Sequence, residues 1–138
     1  QRWLSLSWAS DGGALFALGE RGSTRTLQRI AVAGDAPPRE LLARADLLMT
    51  PDSGPMHIAN AMGAKVLGLH AASNPLRSGP YSDVRYCVNR YDDAARKYLH
   101  SPAAALAWGS KIEHDGVMDL VTVHDAIAAF ERRVADLG

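Results

Sequence analysis

The stretch Thr50–Gly63 reads TPDSGPMHIANAMG and joins an apolar run to a helical pattern of small residues. Leu47–Met49, just before it, predicts a buried strand, and Pro55–Met62 predicts a short helix that the following glycine ends. Proline fits the first turn of a helix because its missing N–H would have no partner there. Ser53 or Gly54 fits the N-cap position. The stretch therefore predicts a strand, a tight loop and a helix in direct succession.

The chain on either side alternates in the same way. Further apolar strand candidates are Ile30–Ala33, Lys65–His70 and Val84–Val88, and further helices are predicted at Asp35–Arg44, Asp92–Leu99 and Thr122–Leu137. Continuous apolar strands separated by short helices are typical of a parallel sheet covered on both faces. We therefore expect an α/β fold.

The last predicted helix has the most regular pattern. Its apolar residues recur at intervals of four and three: Val123, Ile127, Phe130, Val134 and Leu137. This spacing predicts one apolar face, which we expect to pack on the sheet. Thr122 followed by Asp125 resembles a capping box in which Asp replaces Glu.

Three segments give weaker signals. Residues 1–29 mix apolar and polar side chains without a helix or strand period, and they contain four glycines. The segment Ala71–Asp83 is rich in Gly, Pro and Ser and predicts a long loop, which at a strand end usually carries function. Residues 100–121 predict irregular structure.

Composition limits the class of protein. The 138 residues suffice for one core, and we expect a single domain. The 15 basic and 15 acidic side chains cancel, which disfavours nucleic acid as a partner. The single cysteine, Cys87, fits a reducing compartment, and no apolar run reaches the ~20 residues of a membrane span. We therefore expect a cytoplasmic protein without a transmembrane segment.

The loop in front of the predicted helix suits an anion. The backbone N–H groups of Gly54, Met56 and His57 are predicted to be unpaired at the positive end of the helix dipole. Gly54 lets a phosphate approach the backbone, and Ser53 adds a hydroxyl donor. Asp52 suits sugar hydroxyls, and His57 suits a phosphate. The alternative is a plain, well-capped helix, which uses the same residue types.

Other chemistries have less support from the motifs. Ser53 and His57 lie four residues apart, but the chain has no G-x-S-x-G nucleophile motif. Its five histidines show neither H-E-x-x-H nor paired Cys and His spacing, so we predict no metal site. The chain also has no G-x-G-x-x-G or Walker motif, and we predict no cofactor.

Longer motifs resemble a known family. DSGPMH (Asp52–His57), IANAMG (Ile58–Gly63) and NPLRSGPY (Asn74–Tyr81) are similar to segments of the bacterial heptosyltransferases of glycosyltransferase family nine, which assemble the lipopolysaccharide core. The likeness continues through YDDAARKYL, WGSKIE and GVMDLVTV and covers about residues 30–130. Residues 1–29 do not match the strand and glycine-rich loop expected where the family's donor domain begins.

The resemblance implies the C-terminal half of a two-domain GT-B enzyme, with a Rossmann-like parallel sheet flanked by helices. It also implies inverting, metal-independent transfer from a nucleotide-diphosphate sugar such as ADP-heptose. The implied substrate-binding residues are Asp52, Ser53, Gly54, Met56, His57, Asn74, Arg77 and Gly79. Asp52 is expected near the donor sugar and the next four around the diphosphate, with the last three in a loop at the cleft between domains.

The family's general base resembles a residue of the N-terminal domain, outside these 138 residues. No catalytic residue is therefore predicted here, and the chain alone is expected to be inactive. The implied partners are the nucleotide sugar and a lipid-linked glycan acceptor, held through that N-terminal domain at the inner face of the inner membrane. An exposed interdomain face also predicts self-association. The alternative function is a non-catalytic α/β binding or interaction module.

Overall fold

A computed structural model describes residues 2–8, 14–21, 24–31, 42 and 45–136 of the chain. The chain divides into two compact units, Gln1–Val66 and Leu67–Gly138, which are taken in turn below. The single-domain organisation stays a prediction. None of the helices in the described ranges has the length and apolar character to cross a membrane.

The first unit contains a small mixed sheet. Its elements are β1 (Arg2–Trp8), β2 (Ala14–Arg21), β3 (Thr24–Ala31), β4 (Leu47–Pro51) and the helix α1 (Gly54–Ala61). The strand order is β3-β2-β1-β4, with antiparallel pairs β1–β2 and β2–β3. The pair β1–β4 is parallel, with Leu6 opposite Leu48. Parallel strands are thus only part of this sheet.

The antiparallel strands β1 to β3 were not predicted. Residues 1–29 lack a clear period of two, and antiparallel neighbours need no helix between them, so the chain offered no alternation of strand and helix to detect. The predicted strand Ile30–Ala33 overlaps the end of β3, which stops at Ala31. Most of the predicted helix Asp35–Arg44 lies outside the described residues, but Leu42 is helical and buried.

The segment β4–α1 agrees with its prediction. Leu47 and Leu48 are fully buried in β4, and α1 places Met56 and Ala59, three residues apart, against the core. The helix ends as expected for a glycine in the left-handed region, because Gly63 has φ +82° and its amide donates to the Asn60 carbonyl.

The second unit contains two parallel strands, each followed by a helix. These are β5 (Lys65–His70), which includes the boundary between the units, α2 (Pro75–Ser78), β6 (Val88–Asn89) and α3 (Tyr91–Leu99). Leu69 pairs with Val88 and His70 with Asn89. Together with β4 and α1, this alternation confirms the predicted α/β, Rossmann-like class.

Two predictions for this unit were wrong. The loop predicted over Ala71–Asp83 contains the short helix α2. The strand predicted at Val84–Val88 is reduced to β6, because Val84–Tyr86 forms a 3-10 helix. In this turn, the amides of Tyr86 and Cys87 donate to carbonyls three residues earlier, so they do not pair with a neighbouring strand.

The remainder of the second unit surrounds a small core. Residues 100–121 are mostly irregular, as predicted, with 3-10 turns at Ala103–Ala105 and Val117–Leu120. The final helix is α4 (Val123–Ala135). The buried cluster consists of Ala71, Tyr91, Ala94, Ala95, Ile112 and Val117.

The predicted capping box of α4 is confirmed. The Asp125 amide donates to Thr122 Oγ1 at 3.1 Å, and the Thr122 amide donates to Asp125 Oδ2 at 3.0 Å. Arg90 from the loop before α3 also donates to the Asp125 carboxylate, with Nη2 2.6 Å from Oδ1. The cap therefore fixes the start of the helix and ties it to α3.

The predicted inward face of α4 was wrong. Val123 is 77% exposed, and Ile127 and Val134 are also exposed, whereas the buried residues of the helix are Ala129 and Arg133. Arg133 Nη2 lies 3.0 Å from Asp83 Oδ1, with both side chains at most 5% exposed. A buried, paired arginine thus takes the place that the apolar pattern had assigned to valine and isoleucine; Leu137 lies outside the described residues.

Candidate functional site

The loop between β4 and α1 lies at the carboxyl end of β4, where α/β proteins commonly bind ligands. Ser53 is the N-cap of α1 and has an extended backbone. Its hydroxyl does not cap the helix but lies 3.0 Å from Oγ1 of the buried Thr50. The side-chain cap that the sequence favoured is therefore replaced by a hydroxyl pair that holds the loop against β4.

The backbone amides of this loop differ from the prediction. The Met56 amide donates to the Ser53 carbonyl at 3.1 Å and is not unpaired. His57 is the fourth residue of α1, the first whose amide reaches a carbonyl one full turn back. The predicted set of three available amides is thus reduced to that of Gly54.

Gly54 is exposed at the start of α1. A Cβ built on this glycine would meet no atom of the described residues within 4 Å. Space in front of a helix N-terminus lets an anion reach the backbone amide and the positive end of the dipole. The geometry at Gly54 therefore permits the close approach that the sequence predicted.

Two titratable side chains border the same loop. Asp52 Oδ1 and His57 Nε2 are 3.7 Å apart, with side-chain exposures of 19% and 54%. A protonated His57 would place a positive charge near Gly54 and remain paired with Asp52. Met56, in contrast, is fully buried, so its side chain belongs to the core and only its backbone faces the loop.

The other predicted residues lie in the second unit, where Asn74 and Gly79 bound the short helix α2. Asn74 Oδ1 accepts a hydrogen bond from the Leu76 amide at 3.0 Å, so Asn74 caps this helix. The Gly79 amide donates to the Pro75 carbonyl at 2.8 Å. A Cβ on Gly79 would clash with that carbonyl oxygen, so the packing of the backbone explains the glycine at this position.

Arg77 is exposed and lies against a neighbouring turn. A Cβ built on Gly109 would be 2.8 Å from Arg77 Nε, and Gly109 has φ +92°. The positive φ favours glycine at position 109, whereas the exposed Arg77 side chain could move aside for a Cβ. The guanidinium thus lies beside the turn that also carries Trp108.

The second unit also contains a cleft that the sequence did not predict. It has a volume of about 530 Å³ and is called the Trp108 cleft below. Its lining consists of Asn74, Leu76, Asn89, Tyr91, Asp92, Ala103, Ala104, Leu106 and Trp108. The available signal was Asn89, a polar residue at the carboxyl end of a strand and two positions before a helix.

In the described part of the chain, no three His, Cys, Asp or Glu side chains group closely enough to hold a metal ion. The thiol of Cys87 is partly buried, and this burial raises its pKa to about 11. The main candidate for ligand binding is therefore the set of polar groups at the carboxyl ends of the parallel strands, where α/β proteins commonly bind ligands.

Comparison with known proteins identifies the family. The model of glycosyltransferase family 9 (heptosyltransferase) matches residues 38–107, just over half of the chain. The chain therefore belongs to this family, which confirms the resemblance seen in the sequence.

The chain is also similar to the lipopolysaccharide core heptosyltransferase OpsX of Haemophilus influenzae. The two are 36% identical over 92 residues, which is 67% of this chain but 26% of that protein. The chain thus spans about a quarter of the length of the curated relative it matches. No solved structure matches the chain.

Proposed function

We propose that this chain is the donor-binding part of an inverting, metal-independent glycosyltransferase of the GT-B class. The parent enzyme would transfer a sugar such as heptose from a nucleotide diphosphate to a growing lipopolysaccharide core. Membership of family 9 and the likeness to a core heptosyltransferase support this class of reaction. The observation that carries the proposal is the open approach to Gly54 beside Ser53, Asp52 and His57.

In this proposal the β4–α1 loop stabilises the leaving diphosphate. Negative charge grows on the diphosphate as its bond to the sugar breaks, and groups already placed around it lower the barrier. The Gly54 amide, the positive end of α1 and a protonated His57 supply opposite charge. The Ser53 hydroxyl becomes a further donor when it turns from Thr50 to the diphosphate. Asp52 is proposed to accept hydrogen bonds from the hydroxyls of the donor sugar.

For the second unit we propose fewer donor-binding residues than the family motifs implied. Asn74, Arg77 and Gly79 stay predictions as donor-binding residues. Asn74 and Gly79 already have structural explanations at the ends of α2, whereas the exposed Arg77 offers a guanidinium suited to bidentate phosphate binding. Arg77 is therefore the member of this group for which we still propose a role in binding phosphate.

The remaining partners are proposed from the family alone. A lipid-linked glycan acceptor and the general base would be supplied through another domain of the parent protein. The enzyme would then work as a peripheral protein at the inner face of the inner membrane. No residue of this chain is proposed as the general base.

Gly54→Ala is the sharpest test of donor binding. Because a Cβ at this position meets no described atom within 4 Å, the substitution leaves the fold intact and obstructs only a ligand. We expect ADP-heptose to shift the backbone amide resonances of Asp52–Asn60 in the purified chain. The variant should weaken binding by about tenfold or more, which corresponds to about 1.4 kcal/mol.

Ile58→Ala is the matched control, since Ile58 is exposed on the same helix but follows the loop. It should bind ADP-heptose like the unmodified chain. Titrations with UDP and GDP sugars identify which nucleotide base of the donor the chain prefers. Equal affinities for Gly54→Ala and the unmodified chain would refute the role of this loop, whereas no binding of any of the three nucleotide sugars would favour a non-catalytic module.

A further inference from the structure

We propose that the Trp108 cleft is a carbohydrate subsite that holds one pyranose ring. The proposal rests on the proposed function, because a sugar transferase must position a donor sugar and a glycan acceptor in addition to a diphosphate. The cleft lies wholly within the second unit, and its volume of about 530 Å³ is typical of small-molecule sites.

One side of the cleft is apolar and exposed. Trp108 and Leu76 line it with 74% and 71% of their surface exposed, and Leu106 lies beside them. A large aromatic and a leucine exposed together mark a surface that another molecule covers. A pyranose ring has a face of C–H groups that an indole can cover, while its hydroxyls point outward from the ring edge.

The cleft also has polar groups that suit those hydroxyls. Asn74 Oδ1 accepts from the Leu76 amide and Asn89 Oδ1 accepts from the Tyr91 amide, both at 3.0 Å. These bonds fix the orientation of each carboxamide and leave its NH₂ group as the donor for a ligand oxygen. The Tyr91 hydroxyl donates to the Ser110 carbonyl at 2.8 Å, so its oxygen is an acceptor.

The charges of the lining favour a neutral ligand. None of the nine lining residues is Lys, Arg or His. The single carboxylate, Asp92, accepts from the Ala103 amide at 2.8 Å and from Arg96 Nε at 2.7 Å. Arg96 thus balances Asp92, and the cleft has no positive lining group for a diphosphate. A polyhydroxylated ring fits this lining better than a nucleotide.

Several contacts hold the cleft in its open shape. The Asp92–Ala103 bond joins α3 to the 3-10 turn, and the Tyr91–Ser110 bond joins α3 to the loop after Trp108. The turn at Trp108 is further fixed by the left-handed Gly109. A site that is already formed loses less binding free energy to the ordering of its own side chains.

The test titrates the purified chain with three probes: a lipopolysaccharide core oligosaccharide freed of lipid, ADP-heptose, and ADP alone. We expect at least one sugar probe to shift the amide resonances of Asn89, Asp92 and Trp108 in a saturable way. The oligosaccharide does so if the ring comes from the acceptor, and ADP-heptose does so if it comes from the donor. ADP alone should leave these three resonances unchanged.

Trp108→Ala should weaken binding of the active sugar probe by about tenfold. Because the indole is mostly exposed, the variant should keep the unfolding temperature of the unmodified chain. Ile127→Ala, which removes an exposed apolar side chain on α4, should leave sugar binding unchanged.

Three results overturn the subsite: no saturable shift with either sugar, the same shifts with ADP alone, or equal sugar affinities for Trp108→Ala and Ile127→Ala. None of these depends on the β4–α1 loop. Donor binding is judged instead by Gly54→Ala, so a failure of the subsite and a failure of the proposed function give different results.

Discussion

The β4–α1 loop and the Trp108 cleft are built in different ways. The loop is assembled from consecutive residues, and its main contacts, Thr50 with Ser53 and Asp52 with His57, join residues at most five positions apart. The cleft draws on α2, the end of β6, α3 and the loop that carries Trp108. A contiguous motif can therefore be recognised in the sequence, whereas a site assembled from distant segments is defined only by the fold.

Contacts between segments that are distant in the sequence should also have the largest effect when one side chain is removed. Arg133→Ala would remove the buried guanidinium that pairs with the Asp83 carboxylate, and breaking a buried ion pair in this way costs about 3–5 kcal/mol. The loss should fall on the second unit, because Arg133 also lies 4.2 Å from the ring centre of Tyr86. Thermal unfolding measures the total effect, and amide hydrogen exchange should accelerate most in α4 and in the 3-10 turn Val84–Tyr86, the two segments that the pair joins.

Arg132→Ala is the matched control, since Arg132 is the preceding, exposed residue of α4. It should change the free energy of unfolding by less than about 0.5 kcal/mol. Equal destabilisation by the two substitutions would show that the buried pair does not hold the second unit together.

A pair of glycines, Gly54 in the β4–α1 loop and Gly68 in β5, gives a smaller contrast between an open and a packed position. A Cβ on Gly68 would lie 2.6 Å from His70 Nε2 and 2.9 Å from Cys87 Sγ, and His70 is buried and cannot move out of the way. Gly68→Ala should therefore cost about 1–3 kcal/mol through overpacking. Gly54→Ala, which meets open space, should leave the unfolding temperature nearly unchanged. Similar losses in denaturant titrations of the two variants would contradict this contrast.

Local signals account for the parts of the fold that were predicted. β4, β5, α1 and α3 follow apolar runs and helical spacing, and the ends of α1 and α4 follow Gly63 and the Thr122–Asp125 box. The missed antiparallel strands depend on pairing between segments that individually lack a period. The inward face of α4 was misjudged because Asp83 and Tyr86, about 50 positions from Arg133, decide which side of the helix is buried.

In the candidate site, too, consecutive residues predicted some features, whereas others depend on the fold. The position of Asp52–His57 at a strand end and the open approach to Gly54 followed from consecutive residues. The occupied Met56 amide depends on the tight first turn of α1, which the residue types do not specify. Asn74 and Gly79 matched a family motif, but their contacts show that they also build α2. Motif membership alone did not separate binding residues from structural ones.

The smallest predicted effect concerns pH and the cap of α4. The Arg90 guanidinium, followed by the hydrogen bonds from Thr122, holds the pKa of Asp125 well below its usual range. A carboxylate with a lowered pKa in the folded state stabilises the protein above its unfolded pKa of about 3.9, and this stabilisation is lost as pH falls further. Asp125→Asn should therefore lower the unfolding temperature at pH 7.

The difference between Asp125→Asn and the unmodified chain should shrink steadily as the pH is lowered below about 4, because the unfolded carboxyl then binds a proton that the folded carboxyl, with its lowered pKa, does not. Asp115→Asn removes an exposed carboxylate from the loop before α4 and should show no such trend. A constant difference from pH 7 to pH 2.5 would mean that the Arg90 contact contributes nothing through charge. The cap would then stabilise α4 only through the geometry of its hydrogen bonds. The contact between the Thr50 and Ser53 hydroxyls in the β4–α1 loop is of this kind, because neither group carries a charge.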